Sequence, residues 1–290
     1  MIKKIFEITV LIGILTISIN TAYADKIEDV LKTVNNPLDS LADRKKAVQE
    51  IKSNKDPRVL TSLIDVIKNS AEPITYRAYV VDVLMQSTDQ WPIIELTNIA
   101  RDPKLPAEVR KPPLYSLWMK DPQKFKPDVI KIAQNSAEPV DLRVTALTYL
   151  RTSGDTKLPI SFWKNLLGKN NDTQIRIAAL NGMEQLGFLS QEKNSLIQIM
   201  QNPSEEISIR KTSILNAERF FSAEEVVPEL IHVISRADNP LEMRQFALNH
   251  LASYSFTDVL PQLEKILLTE KNPTFRKDLK SLIETAGAQN

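Results

Sequence analysis

Few residues of this chain have the types and spacing that enzyme chemistry requires. The sequence contains two histidines, His232 and His250, and no cysteine. Thiol catalysis, disulfides and cysteine-based zinc sites are therefore excluded. No metal-binding histidine pair, glycine-rich phosphate loop or nucleophile-elbow serine occurs. The acidic pairs at 205–206 and 224–225 lie near predicted helix starts, where negative charge favours the helix dipole. We predict no catalytic residue, no metal site and no cofactor.

An arginine recurs about every 33 residues along the chain. A fixed spacing kept over eight occurrences is typical of a repeat architecture. The pentapeptide Asn-Ser-Ala-Glu-Pro also occurs twice, at 69–73 and 135–139, and these copies lie two periods apart. The repeated arginines are Arg44, Arg77, Arg110, Arg143, Arg176, Arg210, Arg244 and Arg276.

Each arginine lies in an apolar pattern that predicts a helix. Around Arg143, Leu142 precedes it directly, and Ala146 and Leu147 follow three and four residues later. These spacings place the side chains on one helix face. A second apolar-periodic stretch precedes each arginine helix, and Trp163 in one of these stretches is predicted to be buried. Asn or Asp commonly stands in the turn, where its side chain can accept from N–H groups of the next helix.

This pattern resembles the HEAT-like repeat family of α-solenoids, in its compact bacterial form. The strongest matches are Asp-Leu-Arg-Val-Thr-Ala-Leu at 141–147 and Gln-Ile-Arg-Ile-Ala-Ala-Leu at 174–180. The resemblance covers residues 25–290 and implies an all-α, right-handed α-solenoid of about eight helix–turn–helix repeats. It also implies that each arginine reaches the turn Asp or Asn of an adjacent repeat. We therefore interpret the eight arginines as a structural ladder, since a guanidinium can satisfy carbonyls and carboxylates between repeats.

The resemblance further indicates where a partner would bind. In α-solenoids of this type the second helices line the concave side. Positions one, two and five residues after each arginine should therefore face that side. Exposed aromatic side chains there are typical anchors of protein contacts. We predict that a protein or peptide binds this concave surface, through Tyr79, Asp82, Tyr115, Thr148, Asn181, Lys211, Phe246 and Asn249.

Two consecutive prolines are the largest departure from the repeat. Pro112 and Pro113 follow soon after Arg110. Proline inside a helix removes an N–H donor, and its ring clashes with the preceding turn. We therefore expect the helix that contains Arg110 to start late or to kink.

Residues 1–24 have the pattern of an export signal. Two lysines supply a positive start, residues 8–19 form an apolar run, and small residues precede the predicted cleavage after Ala24. We therefore expect an exported, periplasmic protein with no membrane span in the mature chain. Glu7 lies close to the apolar run, so an uncleaved membrane anchor is the alternative.

The charge of the predicted mature chain gives no support for nucleic-acid binding. Cleavage removes two lysines and one glutamate, so the 37 basic and 36 acidic residues become equal in number. Binding to duplex DNA requires a basic footprint that neutralises phosphates.

We therefore predict a non-catalytic, exported scaffold that binds a protein or peptide, in an oligomeric state that the sequence leaves open. The alternatives are an enzyme or enzyme accessory, such as HEAT-like bilin lyases or glycan-cleaving superhelical proteins, and a nucleic-acid binder such as HEAT-like DNA glycosylases.

Overall fold

The computed structural model describes residues 26–86, 92–152, 158–254 and 257–287. All regular elements in these ranges are helical, and no strand occurs in them. The prediction of an all-α helical-repeat fold is therefore confirmed. The predicted signal peptide lies outside the described residues.

Sixteen α-helices follow one another in eight pairs within the described ranges, with two 3₁₀ turns at Leu189–Gln191 and Thr257–Val259. In each pair an odd-numbered first helix precedes an even-numbered second helix. The helices are α1 (26–35), α2 (Leu41–Ile51), α3 (Pro57–Lys68), α4 (Ile74–Met85), α5 (Pro92–Arg101), α6 (Ala107–Lys120), α7 (Pro122–Gln134), α8 (Val140–Thr152), α9 (Ile160–Leu166), α10 (Thr173–Gln185), α11 (Lys193–Gln201), α12 (Ile207–Phe220), α13 (Ala223–Ser235), α14 (Leu241–Leu251), α15 (Leu260–Thr269) and α16 (Pro273–Gly287).

The chain forms two compact units, and the division between Lys131 and Ile132 falls within α7. In the first unit, α3 packs against α4 and α5 against α6, while the second helices α2, α4 and α6 pack against one another in turn. In the second unit, α9, α11, α13 and α15 each pack against the helix that follows. The second helices α8, α10, α12, α14 and α16 stack in order. Within each unit the structure is thus a stack of helix pairs.

The core of each unit lies between the apolar stripes that the sequence pattern predicts. In the first unit it includes the fully buried Val81, Ile99 and Val109. In the second unit Trp163 of α9 is fully buried, and it packs edge-to-face on Phe162 with ring centres 5.1 Å apart. Large aromatic side chains contribute much of the buried apolar area in such cores.

The two prolines of α6 do not delay its start. The helix begins at Ala107 and continues through Pro112 and Pro113, so the expected late start is wrong. Proline has a fixed φ near −65°, which is compatible with a helix, and α6 therefore continues without the two missing N–H donors. The main-chain carbonyls of Glu108 and Val109 consequently have no N–H partner four residues later.

Candidate functional site

The eight repeat arginines form the arginine ladder, and each is the fourth residue of its second helix. All but Arg276 are buried. In the seven buried arginines, Nε donates to the carbonyl of a residue at the end of the preceding first helix, at 2.7 to 3.1 Å. Those carbonyls have no partner within their own helix. Each buried arginine thereby closes its own helix pair. The accepting residues are Val34, Ile67, Ala100, Ala133, Leu167, Met200 and Ile234.

Terminal guanidinium nitrogens of five ladder arginines donate to a side chain in the turn before the next second helix. Arg44 donates to both carboxylate oxygens of Glu72, at 2.7 and 2.8 Å. Glu72 stands immediately before the N-cap Pro73 of α4. The acceptor is therefore Glu or Asn before the next second helix, a position that sequence reasoning missed. The other pairs are Arg143 with Asn171, Arg176 with Glu205, Arg210 with Asn239 and Arg244 with Glu270.

Several turn Asn and Asp residues bond within their own turn. Asn69 Oδ1 accepts from the N–H of Ala71 at 3.0 Å, which closes the turn itself. The same contact to the N–H two residues later occurs at Asp102, Asn135 and Asn202. These side chains satisfy turn donors locally. Two ladder arginines do reach a turn Asn of the adjacent repeat, Asn171 and Asn239. Arg44, Arg176 and Arg244 instead bond to a glutamate.

The ladder arginines differ in whether a carboxylate balances their positive charge. Arg44 lies opposite a carboxylate, whereas Leu105 holds the corresponding position for Arg77. Burial lowers the pKa of Arg77, Arg143 and Arg210, while the hydrogen bond to Glu72 raises the pKa of Arg44. An Asn acceptor satisfies an N–H group but brings no negative charge. Three buried guanidinium groups therefore have no carboxylate bonded to them in the described part of the chain.

Ladder arginines that are bonded to a glutamate should make the stability of the fold sensitive to acid. The substitution Glu205→Gln tests this prediction. The hydrogen bond from Arg176 holds the pKa of Glu205 below its usual value. A depressed folded-state pKa adds stability at pH values above the unfolded-state pKa, and this stability is lost as pH falls through the folded-state value. We expect E205Q to lower stability by about 3 kcal/mol at pH 7. The gap between the wild-type and variant thermal midpoints should narrow below about pH 4.5. An equal gap at pH 7 and pH 3.5 would contradict this.

The second-helix face is the solvent-facing side of the even-numbered helices, and it carries the predicted binding residues. Tyr79 is half-buried: its hydroxyl accepts from Gln49 at 2.9 Å and donates to the Lys45 carbonyl at 3.2 Å. Phe246 is half-buried beneath the Lys211 ammonium group, which lies 5.0 Å from the ring centre. Neighbouring second helices stack closely enough to cover these rings. The expectation that Tyr79 and Phe246 are exposed anchors is therefore wrong.

The other predicted binding residues fall into two groups. Thr148 and Asn181 are half-buried, and the Thr148 hydroxyl donates within its own helix to the Val144 carbonyl at 2.9 Å. Asp82, Tyr115 and Asn249 are exposed. Asp82 and Tyr115 hold the same position in α4 and α6, which pack together in the first unit. These two residues therefore lie on one continuous part of the second-helix face.

The ends of the second helices carry polar pairs that sequence reasoning missed. Gln185 accepts from Arg151 at 3.1 Å, and Glu184 pairs with Arg219. His250 Nδ1 lies 2.8 Å from a Glu218 carboxylate oxygen. Each pair joins successive second helices of the second unit, so this part of the face is bound internally. The signal available in the sequence is the recurrence of complementary polar residues 32 to 35 positions apart.

An apolar stripe on α6 forms an exposed part of the second-helix face. Tyr115 is 49% exposed and Met119, one turn later, is 62% exposed. Pro112 lies on the same side of the helix, three residues before Tyr115. The buried residues Leu114 and Leu117 occupy the opposite side. We name Pro112, Tyr115 and Met119 the α6 stripe; the sequence analysis missed Met119, although its spacing of four from Tyr115 places it there.

The two histidines lie on different helices. His232 is exposed on α13, and His250 on α14 stacks against Phe246 with ring centres 4.3 Å apart. The described ranges contain no group of three or more His, Asp or Glu residues that could hold a metal ion. Within the same ranges, no helix is both long enough and apolar enough to span a bilayer.

Comparisons with known proteins leave the chain without an assigned family. No protein-family model matches the sequence, and a search of curated proteins gives no match. Among solved structures, human deoxyhypusine hydroxylase in complex with glycerol aligns with 93% of this chain and 98% of its own. The two sequences are 13% identical over that alignment, and the TM-score is 0.37. A likeness at this level transfers neither an activity nor a ligand to this chain.

Proposed function

We propose that the protein is an exported helical-repeat scaffold, without catalysis of its own, that binds a partner protein on the second-helix face of its first unit. A stack of helix pairs presents one row of second helices, and such rows serve as extended binding surfaces in repeat proteins. Thr148, Asn181, Lys211 and Phe246 of the second unit are half-buried. The proposal therefore centres on α6 and the adjacent Asp82 of α4.

The α6 stripe is the observation that carries this proposal. Tyrosine is enriched at the energetically dominant positions of interfaces, and methionine adapts its shape to a partner surface. Pro112 and Pro113 remove two N–H donors from the same helix. Exposed apolar groups offer a partner an area that binding can bury.

Truncation of the stripe tests the proposal. We expect the double variant Tyr115→Ala and Met119→Ala to weaken partner capture at least about tenfold, because removal of two anchors costs more than 1.4 kcal/mol of binding free energy. The measurement is quantitative affinity capture of the secreted or periplasmic fraction on immobilised protein. N-terminal sequencing of the exported protein checks whether the chain begins at Asp25, as export with cleavage requires.

Exposed apolar residues of the same unit provide the matched control. Leu38 is 92% exposed and Ile94 on α5 is 70% exposed, so their alanine variants remove comparable apolar surface. The control pair should capture the same partner at wild-type level. If the stripe variant and the control pair retain every captured protein equally, the assignment of the binding surface to α6 is wrong.

A further inference from the structure

A cleft of about 690 Å³ opens at the turns of the second unit. It lies between the end of α9 and the C-terminal half of α11, where the first helices are short. α9 has 7 residues and α11 has 9, compared with 13 in α13. Leu167 and Ile199 supply apolar walls, and Gln198, Gln201 and Asn202 supply amide groups. We call this space the turn cleft.

The floor of the turn cleft has more positive than negative charge. The Glu205 carboxylate binds Arg176 at 2.5 and 2.9 Å and lies 3.9 Å from the Lys169 ammonium group. The positive charge of Arg210 also acts on Glu205 and helps to lower its pKa. One carboxylate thus lies among three positively charged side chains. Lys169 is 66% exposed at the rim, so an entering ligand can reach it.

Arg210 reinforces this imbalance from behind the cleft. It is fully buried, and among the described residues its Nη1 has no hydrogen-bond partner. Its Nη2 donates to the neutral amide oxygen of Asn239 at 2.8 Å, which brings no compensating charge. Desolvation is the main cause that lowers the pKa of Arg210, and the nearby Arg236 adds to it, whereas Asp238 and Glu205 oppose it. A negative charge in the cleft would therefore stabilise the protein around it.

The remaining charges at the rim are arranged in pairs. Lys164 contacts Glu192 at 2.9 Å, and Arg236 contacts Asp238 at 2.5 Å. Gln201 donates to Glu229, which lies on α13. Glu192 and Asp238 are not part of the lining, so both of their cations present a positive side to the cleft. The two ion pairs are neutral overall, and Glu229 adds one negative charge beside Gln201, so the excess positive charge of the floor is reduced but not cancelled.

We propose that the turn cleft binds an acidic peptide segment of a protein ligand, with its carboxylates at Lys169 and Arg236 and its main chain on Gln198 and Asn202. The cleft volume falls within the roughly 300–1,000 Å³ of sites that hold extended organic ligands. A single inorganic ion would leave most of it, including the walls of Leu167 and Ile199, unused. This site is separate from the α6 stripe and does not depend on the function proposed for it.

Fluorescence anisotropy with a labelled peptide of alternating glutamate and leucine tests this proposal. The double variant Lys169→Gln and Arg236→Gln should raise the peptide Kd at least about tenfold, and wild-type binding should weaken as salt rises. Both side chains lie at the rim, so the variant keeps the buried ladder intact. The control pair Lys265→Gln and Lys277→Gln removes the same charge from exposed positions of the same unit and should leave Kd unchanged.

Four results would overturn the proposal. They are equal binding of a glutamine–leucine peptide, equal weakening in the control pair, displacement by inorganic phosphate at the same concentration as unlabelled peptide, and tighter binding of a labelled single-stranded oligonucleotide. The stripe variant with Tyr115→Ala and Met119→Ala should bind the acidic peptide at wild-type affinity. Failure of the partner capture is thereby distinguished from failure of this site.

Discussion

Replacement of Gly182 by alanine is expected to destabilise the protein by about 3 kcal/mol, because it forces an additional methyl group into a filled core. A Cβ at Gly182 would lie 2.6 Å from Cε3 and 2.7 Å from Cη2 of Trp163. Trp163 is fully buried against Phe162, so its ring has no space into which to move. Urea unfolding followed by circular dichroism measures the loss.

A double-mutant cycle separates this clash from a general effect on α10. In a Trp163→Leu background the clashing ring atoms are gone. The change Gly182→Ala should then be neutral or should stabilise by up to about 1 kcal/mol, since alanine favours a helix over glycine. The sign of the Gly182→Ala effect should thus depend on residue 163. An equal loss in both backgrounds would show that the contact with Trp163 is not the cause.

The second large effect is expected when the residues opposite two ladder arginines, Arg44 and Arg77, are exchanged. Glu72→Leu gives Arg44 the environment that Arg77 has beside Leu105. We expect a loss of about 3 kcal/mol, because a buried guanidinium is left without its carboxylate. The reverse change Leu105→Glu supplies Arg77 with that carboxylate. It should stabilise by about 1 kcal/mol after the loss of buried leucine area is subtracted.

Urea midpoints of the two ladder variants provide the measurement, and Leu105→Gln is the matched control. Glutamine has nearly the shape of glutamate but carries no charge, so L105Q should be less stable than L105E at pH 7. The advantage of L105E over L105Q should disappear when the new carboxylate is protonated at low pH. A stabilisation of equal size in L105E and L105Q would mean that the charge of Arg77 needs no compensation.

The helices and the burial of the arginines follow from patterns that the sequence displays openly. The spacing of 33 residues and the apolar positions around each arginine reflect one structural unit repeated with little change. Trp163 also follows the repeat pattern. It lies four residues before Leu167, whose carbonyl accepts from a ladder arginine. The corresponding positions before Ile67, Ala100, Met200 and Ile234 are the buried leucines Leu63, Leu96, Leu196 and Leu230.

Contacts between different repeats were not predictable in the same way. Glu72 precedes a proline at a helix start, where an acidic residue already has a local explanation in the helix dipole. Nothing local indicates that its carboxylate lies against Arg44, 28 positions earlier. Gly182 likewise has a meaning only beside the larger ring of Trp163. Sequence spacing alone also predicted that Tyr79 and Phe246 are exposed. That prediction failed because the extent to which neighbouring helices cover a side chain depends on the side chains of both repeats.

The dual bonding of ladder arginines such as Arg44 affects how cooperatively the stack folds. Repeat proteins are commonly treated as a sum of intrinsic repeat energies and nearest-neighbour coupling energies. Here one guanidinium supports both terms: its Nε closes a helix pair, and its terminal nitrogens join that pair to the next. A change at such a residue therefore alters both parameters together, so within each unit the formation of one pair and its docking on a neighbour are not energetically independent steps.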